Sequence, residues 1–254
     1  MNASKKFAGL ILSLFISSTL IVLAYIGLHL SGGQENAMDS NLTRIFVLLG
    51  GNITGGGYIQ FATYVAFFWS FFEIYEKTQN IKNEKKAYRD KLLPTKEKVV
   101  LLPNDVVNIQ IKASEYEKIH THKLLASIIK RACIKFRSSK SVAEMIEIIS
   151  IQTDINKEKH EGQQSNIRYL TWVIPSIGFI GTVLGISQAL MVANSGDMAV
   201  ITATLGVAFD TTLIALLLSI IIMWFFHHLQ EETDHLHAEM KEYVIENLVN
   251  RIEI

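Results

Sequence analysis

Residues 172–226 decide how this chain is read. They run WVIPSIGFIGTVLGISQALMVA (172–193), then a short polar link NSGDMAVIT (194–202), then ATLGVAFDTTLIALLLSIIIMWFF (203–226). The first segment has 22 residues and no Asp, Glu, Lys or Arg; the second has 24 residues and a single charge, Asp210. At about 1.5 Å rise per residue, either segment can cross a hydrocarbon core roughly 30 Å thick. The pattern predicts a transmembrane helical hairpin.

Both segments carry small and hydroxyl residues at helical spacing. On the first, Gly178, Gly181, Thr182, Gly185, Ala189 and Ala193 recur every three or four positions; on the second, Thr204, Ala208, Thr211 or Thr212, Ala215 and Ser219 do the same. In lipid, helices associate through van der Waals contact rather than hydrophobic exclusion, so small stripes mark faces packed against other helices. Thr182 and Thr212 each lie roughly 14 to 15 Å in from the end of their own segment, near the midplane. A threonine there can bond its own i−4 carbonyl and be structurally silent. Two at matched depth on small-residue faces favour a polar path.

These residues resemble a known family. GFIGTVLGI at 178–186 looks like the signature of the TolQ and ExbB proton-channel proteins, and Pro175 with SIGFIGTVLGI also resembles the third transmembrane helix of the flagellar stator protein MotA. VAFDTTLIAL at 207–216 resembles the family's second segment, with Thr212 at the position of its pore threonine. The resemblance implies a homopentameric ring around a dimer of a MotB-, ExbD- or TolR-like single-span partner. An aspartate on that partner carries the ion, and threonines of this subunit line its route. The ion pathway implied here is Thr182, Thr211 and Thr212 with Asp210; Pro175, Gly178, Gly181, Gly185, Ala208 and Ala215 serve helix packing and pore lining. ExbB-type members carry a glutamate where this chain has Val207, which departs from the pattern.

Composition alone, with 49% hydrophobic residues and formal net charge zero, permits either a soluble or a membrane protein, but the distribution decides. Lys5 and Lys6 precede a charge-free run at 7–30, too long for a signal-peptide core and read as a retained first span. A second charge-free run at 45–72 is interrupted by glycines. The second span is therefore placed at about 53–72, with 42–51 as a short interfacial or re-entrant piece. Residues 1–72 thus form an N-terminal pair of spans, 73–171 an insert, 172–226 the hairpin and 227–254 a helical tail. Of 24 Lys and Arg, 19 fall at 73–171, and only Arg44 lies outside the insert and the two terminal segments. The positive-inside rule then places both termini and the insert in the cytoplasm. The expected fold is an all-α membrane protein with four transmembrane helices and a mainly helical cytoplasmic insert, resembling MotA more than the three-span TolQ and ExbB. Localisation follows as the bacterial inner membrane.

The insert holds 19 basic and 13 acidic residues, whereas the tail holds seven acidic and two basic. Ser114 with Glu117 and Ser141 with Glu144 match capping boxes. Leu125, Ile128, Ile129, Ala132 and Phe136 form the apolar face of an amphipathic helix placed at 119–136. The segment at 94–113 stays open between extended loop and short strand. From Val142 the pattern is helical up to Pro175, and the third span is expected to extend below the membrane. Leu229, Leu236, Met240, Val244, Leu248 and Ile252 keep helical spacing, so the fourth span is expected to continue into the tail. Acidic tail and basic insert either pack together or are two solvated faces.

Asp210 is costly in a span, by about 2.5 to 3.5 kcal/mol on insertion scales, unless it meets protein, water or a partner. Two readings stay open: it recruits or relays cations near the pore, or it is protonated or hydrogen-bonded as a packing device. His227, His228, His235 and His237 lack metal-ligand spacing, and no metal or cofactor is expected beyond a transported proton or sodium ion. Cys133 has no partner for a disulfide. There is no phosphate-binding loop, HExxH or nucleophile motif, so no enzyme is expected. Nucleic-acid binding is not expected either, because the basic residues interleave with acids. The competing class is a non-conducting tetraspan scaffold.

Overall fold

The computed structural model describes residues 3–30, 41–94 and 100–253. Among them every extended element is helical apart from one isolated parallel bridge, between Leu101 and Ile252. The helices are α1 (Ala3–Leu30), α2 (Asn41–Leu48), α3 (Tyr58–Glu84), α4 (Pro103–Ile119), α5 (Leu124–Ser139), α6 (Val142–Gln163), α7 (Ser165–Val192) and α8 (Met198–Asn247). Among the described residues three stretches are long and apolar enough to cross a membrane. A fourth joins them if Leu42–Leu48 and Ile53–Asp90, bent by 46° at their break, form one broken span. The chain is an all-α membrane protein.

The chain divides into two compact units, Met1–Tyr75 with Asn166–His227, and Glu76–Ser165 with His228–Ile254. In the first, α1, α3, α7 and α8 alternate in direction. Phe72 lies near Gly9, while Tyr64 packs with Ile21 and Ile214. Ile59 reaches Gly181, and Asn166 Nδ2 donates to the buried Glu73 Oε1 at 2.8 Å. Sequence alone separated 42–51 from 53–72, and the structure supplies the reason. Between α2 and α3 the wide turn Ile53–Gly57 contains Gly56 at φ 150°, a backbone conformation that side-chain-bearing residues rarely adopt. The carbonyls freed at the end of α2 are capped from α3: Gln60 Nε2 donates to Leu48 O at 2.8 Å, and the Tyr64 hydroxyl donates to Leu49 O at 3.3 Å. Both side chains are buried, so the break is satisfied within protein as membrane depth requires.

The second unit packs α4 on α5 and α5 on α6. The apolar face foreseen for α5 is its buried face, with Leu125, Ile128, Ile129, Ala132 and Phe136 all 2% exposed or less. Its helix starts at Leu124, however, because α4 ends at Ile119 and His120 takes an extended conformation. Of the open segment at 94–113, residues 95–99 lie outside the described residues, and helix runs from Pro103, with proline at the first helical position where a missing N–H costs nothing. VVNIQI, read for strand propensity, lies inside α4 because Val106, Ile109 and Ala113 share its buried face. Ser114 with Glu117 is therefore interior to that helix and caps nothing. The start of α4 is instead held by Asp105, whose Oδ2 accepts the Leu102 N–H at 3.0 Å. Ser141 does cap α6, accepting from Glu144 N at 3.4 Å. Gly162 sits in open space and does not end α6; Gln164 does.

The link at 194–202 is shorter than expected. A tight turn at Ala193–Ser195 and Gly196 at φ 72° reverse the chain, and α8 begins at Met198, five positions before Ala203. Asp197 Oδ1 accepts the N–H groups of Ala199 and Val200, which starts the helix early. At its other end α8 runs unbroken to Asn247. Leu229, Leu236, Met240, Val244 and Leu248 are buried, whereas Ile252 lies beyond the helix. Acidic tail and basic insert do pair within the second unit. Lys85 Nζ lies 3.1 Å from Glu232 and 3.8 Å from Glu239, and Lys157 Nζ lies 3.0 Å from Asp234.

Candidate functional site

The α7–α8 seam is built from residues too small to hold the helices apart. A methyl group added at Gly178 would meet Ala215 Cβ, one at Gly185 would meet Ala208 Cβ, and one at Gly181 would meet the Thr211 hydroxyl, all well inside contact distance. Ala208 and Ala215 are 2% and 0% exposed. The small stripes on the two helices are thus each other's partners within the hairpin. Pro175 lies one turn below Gly178 inside α7, where it has no N–H to give the Thr171 carbonyl.

Hydroxyls gather in this seam. Thr182 and Thr212 meet through their side-chain oxygens, and Thr212 Oγ1 also donates to Gly178 O at 2.8 Å on the facing helix. Thr182 Oγ1 lies 3.4 Å from both Gly178 O and Ala208 O. Both threonines are half-buried, at the edge of the seam rather than at its centre. Thr211 differs. It is 2% exposed, fills the notch at Gly181, and bonds its own helix at Ala208 O, 2.7 Å away. A packing role accounts for it fully.

Asp210 points about 200° around α8 from Thr212, at 100° per residue, and shares a face with Ile214. It is 2% exposed and makes a two-point ion pair with Arg44 of α2, one arm of which spans 2.5 Å between Nη2 and Oδ1. Sequence reasoning foresaw a shelter for Asp210 but not the residue that provides it. The signal was present: Arg44 is the one basic residue outside the insert and the terminal segments, as Asp210 is the one charge in its span.

The model of the MotA/TolQ/ExbB proton channel family matches residues 120–242. Over these residues, just under half of its length, the chain is similar to this family. The match covers α5, α6, α7 and most of α8, and so includes Thr182, Asp210, Thr211 and Thr212 but not Arg44 or the broken α2–α3 pair. Comparison with curated proteins and with solved structures gives no match. The MotA/TolQ/ExbB proteins are a proton channel family rather than a class of enzyme. Among the described residues no group of three or more His, Cys, Asp or Glu could hold a metal ion.

In the second unit, His237 is 2% exposed and its Nε2 lies 3.1 Å from His160 Nδ1. Burial, reinforced by His237 and by Lys77 and Lys159, pushes His160 down to about 4. Burial also lowers His237, against the pull of Asp234 and Glu161. This pair was not foreseen, because the two residues are far apart in sequence and only the packing of α6 on α8 joins them. Cys133 is fully buried and its thiol is pushed up to about 12, which makes it a packing residue.

Proposed function

We propose that this chain is the ion-conducting subunit of a stator: a ring, pentameric by resemblance to that family, around a dimer of single-span MotB-, ExbD- or TolR-like partners. Ion-motive force across a bacterial inner membrane is converted into rotation or other mechanical work. The observation that carries this reading is the meeting of the half-buried Thr182 and Thr212 hydroxyls across a hairpin similar to that of a proton channel family. Hydroxyls at the edge of a seam can exchange their mutual bond for one to a passing carrier at little net cost, which buried ones cannot.

In the mechanism, a carboxylic acid on the partner takes up a proton, or binds a sodium ion, on the side opposite the basic insert. It passes the polar zone at Thr182 and Thr212, which Thr211 supports from within the seam while Asp210 holds the opposite side of α8, and releases its ion inward. Moving one charge through 100 mV supplies about 2.3 kcal/mol, so useful work takes many small steps. The orientation, with both termini in the cytoplasm, rests on the 19 basic residues at 73–171.

A specific observation favours the second reading, a non-conducting scaffold: Thr211 and Thr212 already have backbone partners, so both hydroxyls are satisfied without a passing ion. Flux through vesicles containing the chain co-purified with the product of its neighbouring gene separates the two. Thr182→Val and Thr212→Val should each abolish flux while the assembled complex keeps its subunit count. Wild-type flux from both variants returns the chain to the scaffold class.

A further inference from the structure

Two observations converge on one turn of α8. Arg44 grips the carboxylate of Asp210 at two points, and Gly56, in the break between α2 and α3, lies so close to α8 that a side chain there would come within 2.8 Å of Val207 Cγ1 and 3.8 Å of Thr211 Cγ2. Both halves of the broken segment therefore seat on residues 207–211, immediately before Thr212. The ion pair is asymmetric in environment, the Asp210 side chain 3% exposed and Arg44 50%. Tyr64, Ile21 and Ile214 pack together, so Asp210, one turn nearer the start of α8, lies about 6 Å closer to the Leu30 end of the bundle than that cluster. Phe46 lies over Gly27, so α2 approaches from that end and its guanidinium reaches in to the carboxylate while half of it stays accessible.

A guanidinium fork on a carboxylate fixes orientation as well as distance, because two parallel N–H donors must match two oxygens. Such a bond resists rotation of α8 about its own axis, which a single hydrogen bond or an apolar contact does not. Rotation is the motion that matters: Thr212 reaches Thr182 and Gly178 O only at one setting of the α7–α8 seam, and one residue of slip turns the helix by about 100°.

We infer that Arg44 is a positioning residue: through Asp210 it latches the first half of the broken second span to α8 and so holds Thr212 in register with Thr182. The inference deepens the ion-route reading and rests on it for its functional meaning, but its structural claim can be tested without ion flux. It also gives Asp210 a task on the α1 side of α8, away from the threonine pair. The latch joins Asp210, inside the residues that match the family model, to Arg44, outside them.

The test uses the full-length chain in native membranes, with Thr182→Cys and Thr212→Cys installed together as a cross-linking reporter. Copper-catalysed disulfide formation should be near complete with Arg44 and Asp210 intact and should fall at least fivefold in Arg44→Gln and in Asp210→Asn. Arg44→Lys, which keeps one charged contact, should restore about half. The swapped pair Arg44→Asp with Asp210→Arg should restore most of it, which a general loss of folding would not allow. Unchanged cross-linking in both single variants overturns the latch, and so does a loss that the swapped pair fails to recover. Flux is then measured in the same variants without the cysteines. Cross-linking that follows the latch while Thr182→Val and Thr212→Val conduct normally would leave the latch standing and remove the ion route.

Discussion

Along the α7–α8 seam the residues in contact are glycine, alanine and threonine, whereas between α4, α5 and α6 the buried residues are Leu125, Ile128, Ile129, Met145 and Ile149. The difference follows from the solvent each unit faces. In water, removing a large aliphatic side chain from solvent contributes about 25 cal/mol per Å² of apolar surface, so bulk is favoured inside. In lipid that term vanishes, since acyl chains are as apolar as leucine, and helices gain from approach: backbone near backbone, with hydroxyls bonding across. The large residues of α7 and α8 accordingly lie outside the seam. Phe179, Val183 and Leu190 on α7, and Phe209, Leu213 and Ile220 on α8, are all exposed.

The largest expected effect breaks the seam. Gly185→Leu drives a side chain into Ala208, and overpacking at a site that cannot relax should cost of the order of 3 kcal/mol or more. The matched control is Gly206→Leu on α8 itself, whose position has no neighbour within 4 Å. Size-exclusion profiles and thermal stability in detergent should show Gly185→Leu aggregating or dissociating and Gly206→Leu unaffected. Equal tolerance of both would mean that the seam is not the closest approach in the bundle.

In the other unit the same comparison is tested in the opposite direction, by removing bulk. Ile129→Ala and Leu125→Ala delete fully buried side chains and should each cost about 2 to 5 kcal/mol. Hydrogen exchange should report the loss in α4, α5 and α6 while the amides of the α7–α8 seam stay protected.

The seam could be read from the sequence because its residues carry two signals at once: small size at helical spacing, and a motif, GFIGTVLGI, that the family match supports. Thr182 and Thr212 were also legible, because matched depth on antiparallel helices is arithmetic. Local patterns did not reveal long-range pairing, even where two lone charges, Arg44 and Asp210, stood out. Arg44 with Asp210 is separated by 166 positions and His160 with His237 by 77, and no local pattern links such residues. The segment at 103–119 was obscured for another reason. VVNIQI has strand propensity taken alone, but a proline at the first turn and burial of Val106, Ile109 and Ala113 on one face outweigh it. The early start of α8 came from Asp197, which reads as a link residue until its side chain is seen to accept two backbone N–H groups.

The histidine pair predicts how the second unit responds to acid. His160 is pushed from its ordinary 6.5 to about 4, chiefly by burial, so the unfolded chain binds a proton there more readily than the folded one. Its contribution is fully present above about pH 6.5 and is lost as pH falls from there toward 4. The groups around the pair are Lys77, Lys157 and Lys159 on the basic side and Asp234 and Glu161 on the acidic side. Thermal unfolding of the purified protein between pH 7.5 and 4.5 should show this loss, and His160→Gln should flatten it. A variant with the unaltered pH slope would assign the acid sensitivity to other groups.

The smallest expected effect separates two helix starts within that unit. α6 begins with Ser141, whose hydroxyl accepts the Glu144 N–H at 3.4 Å, whereas α4 begins with an Asp105 carboxylate accepting the Leu102 N–H at 3.0 Å. The longer and uncharged bond is the weaker one. Ser141→Ala should therefore cost toward the low end of the usual 0.5 to 2 kcal/mol for a lost cap, and Ser141→Gly only a few tenths. Asp105→Ala should cost more than Ser141→Ala, read as exchange rates of the first-turn amides of α4 and α6. The opposite order would mean that the Glu144 pair with Lys135, 2.6 Å apart and bridging α6 to α5, depends on the Ser141 cap to hold its geometry.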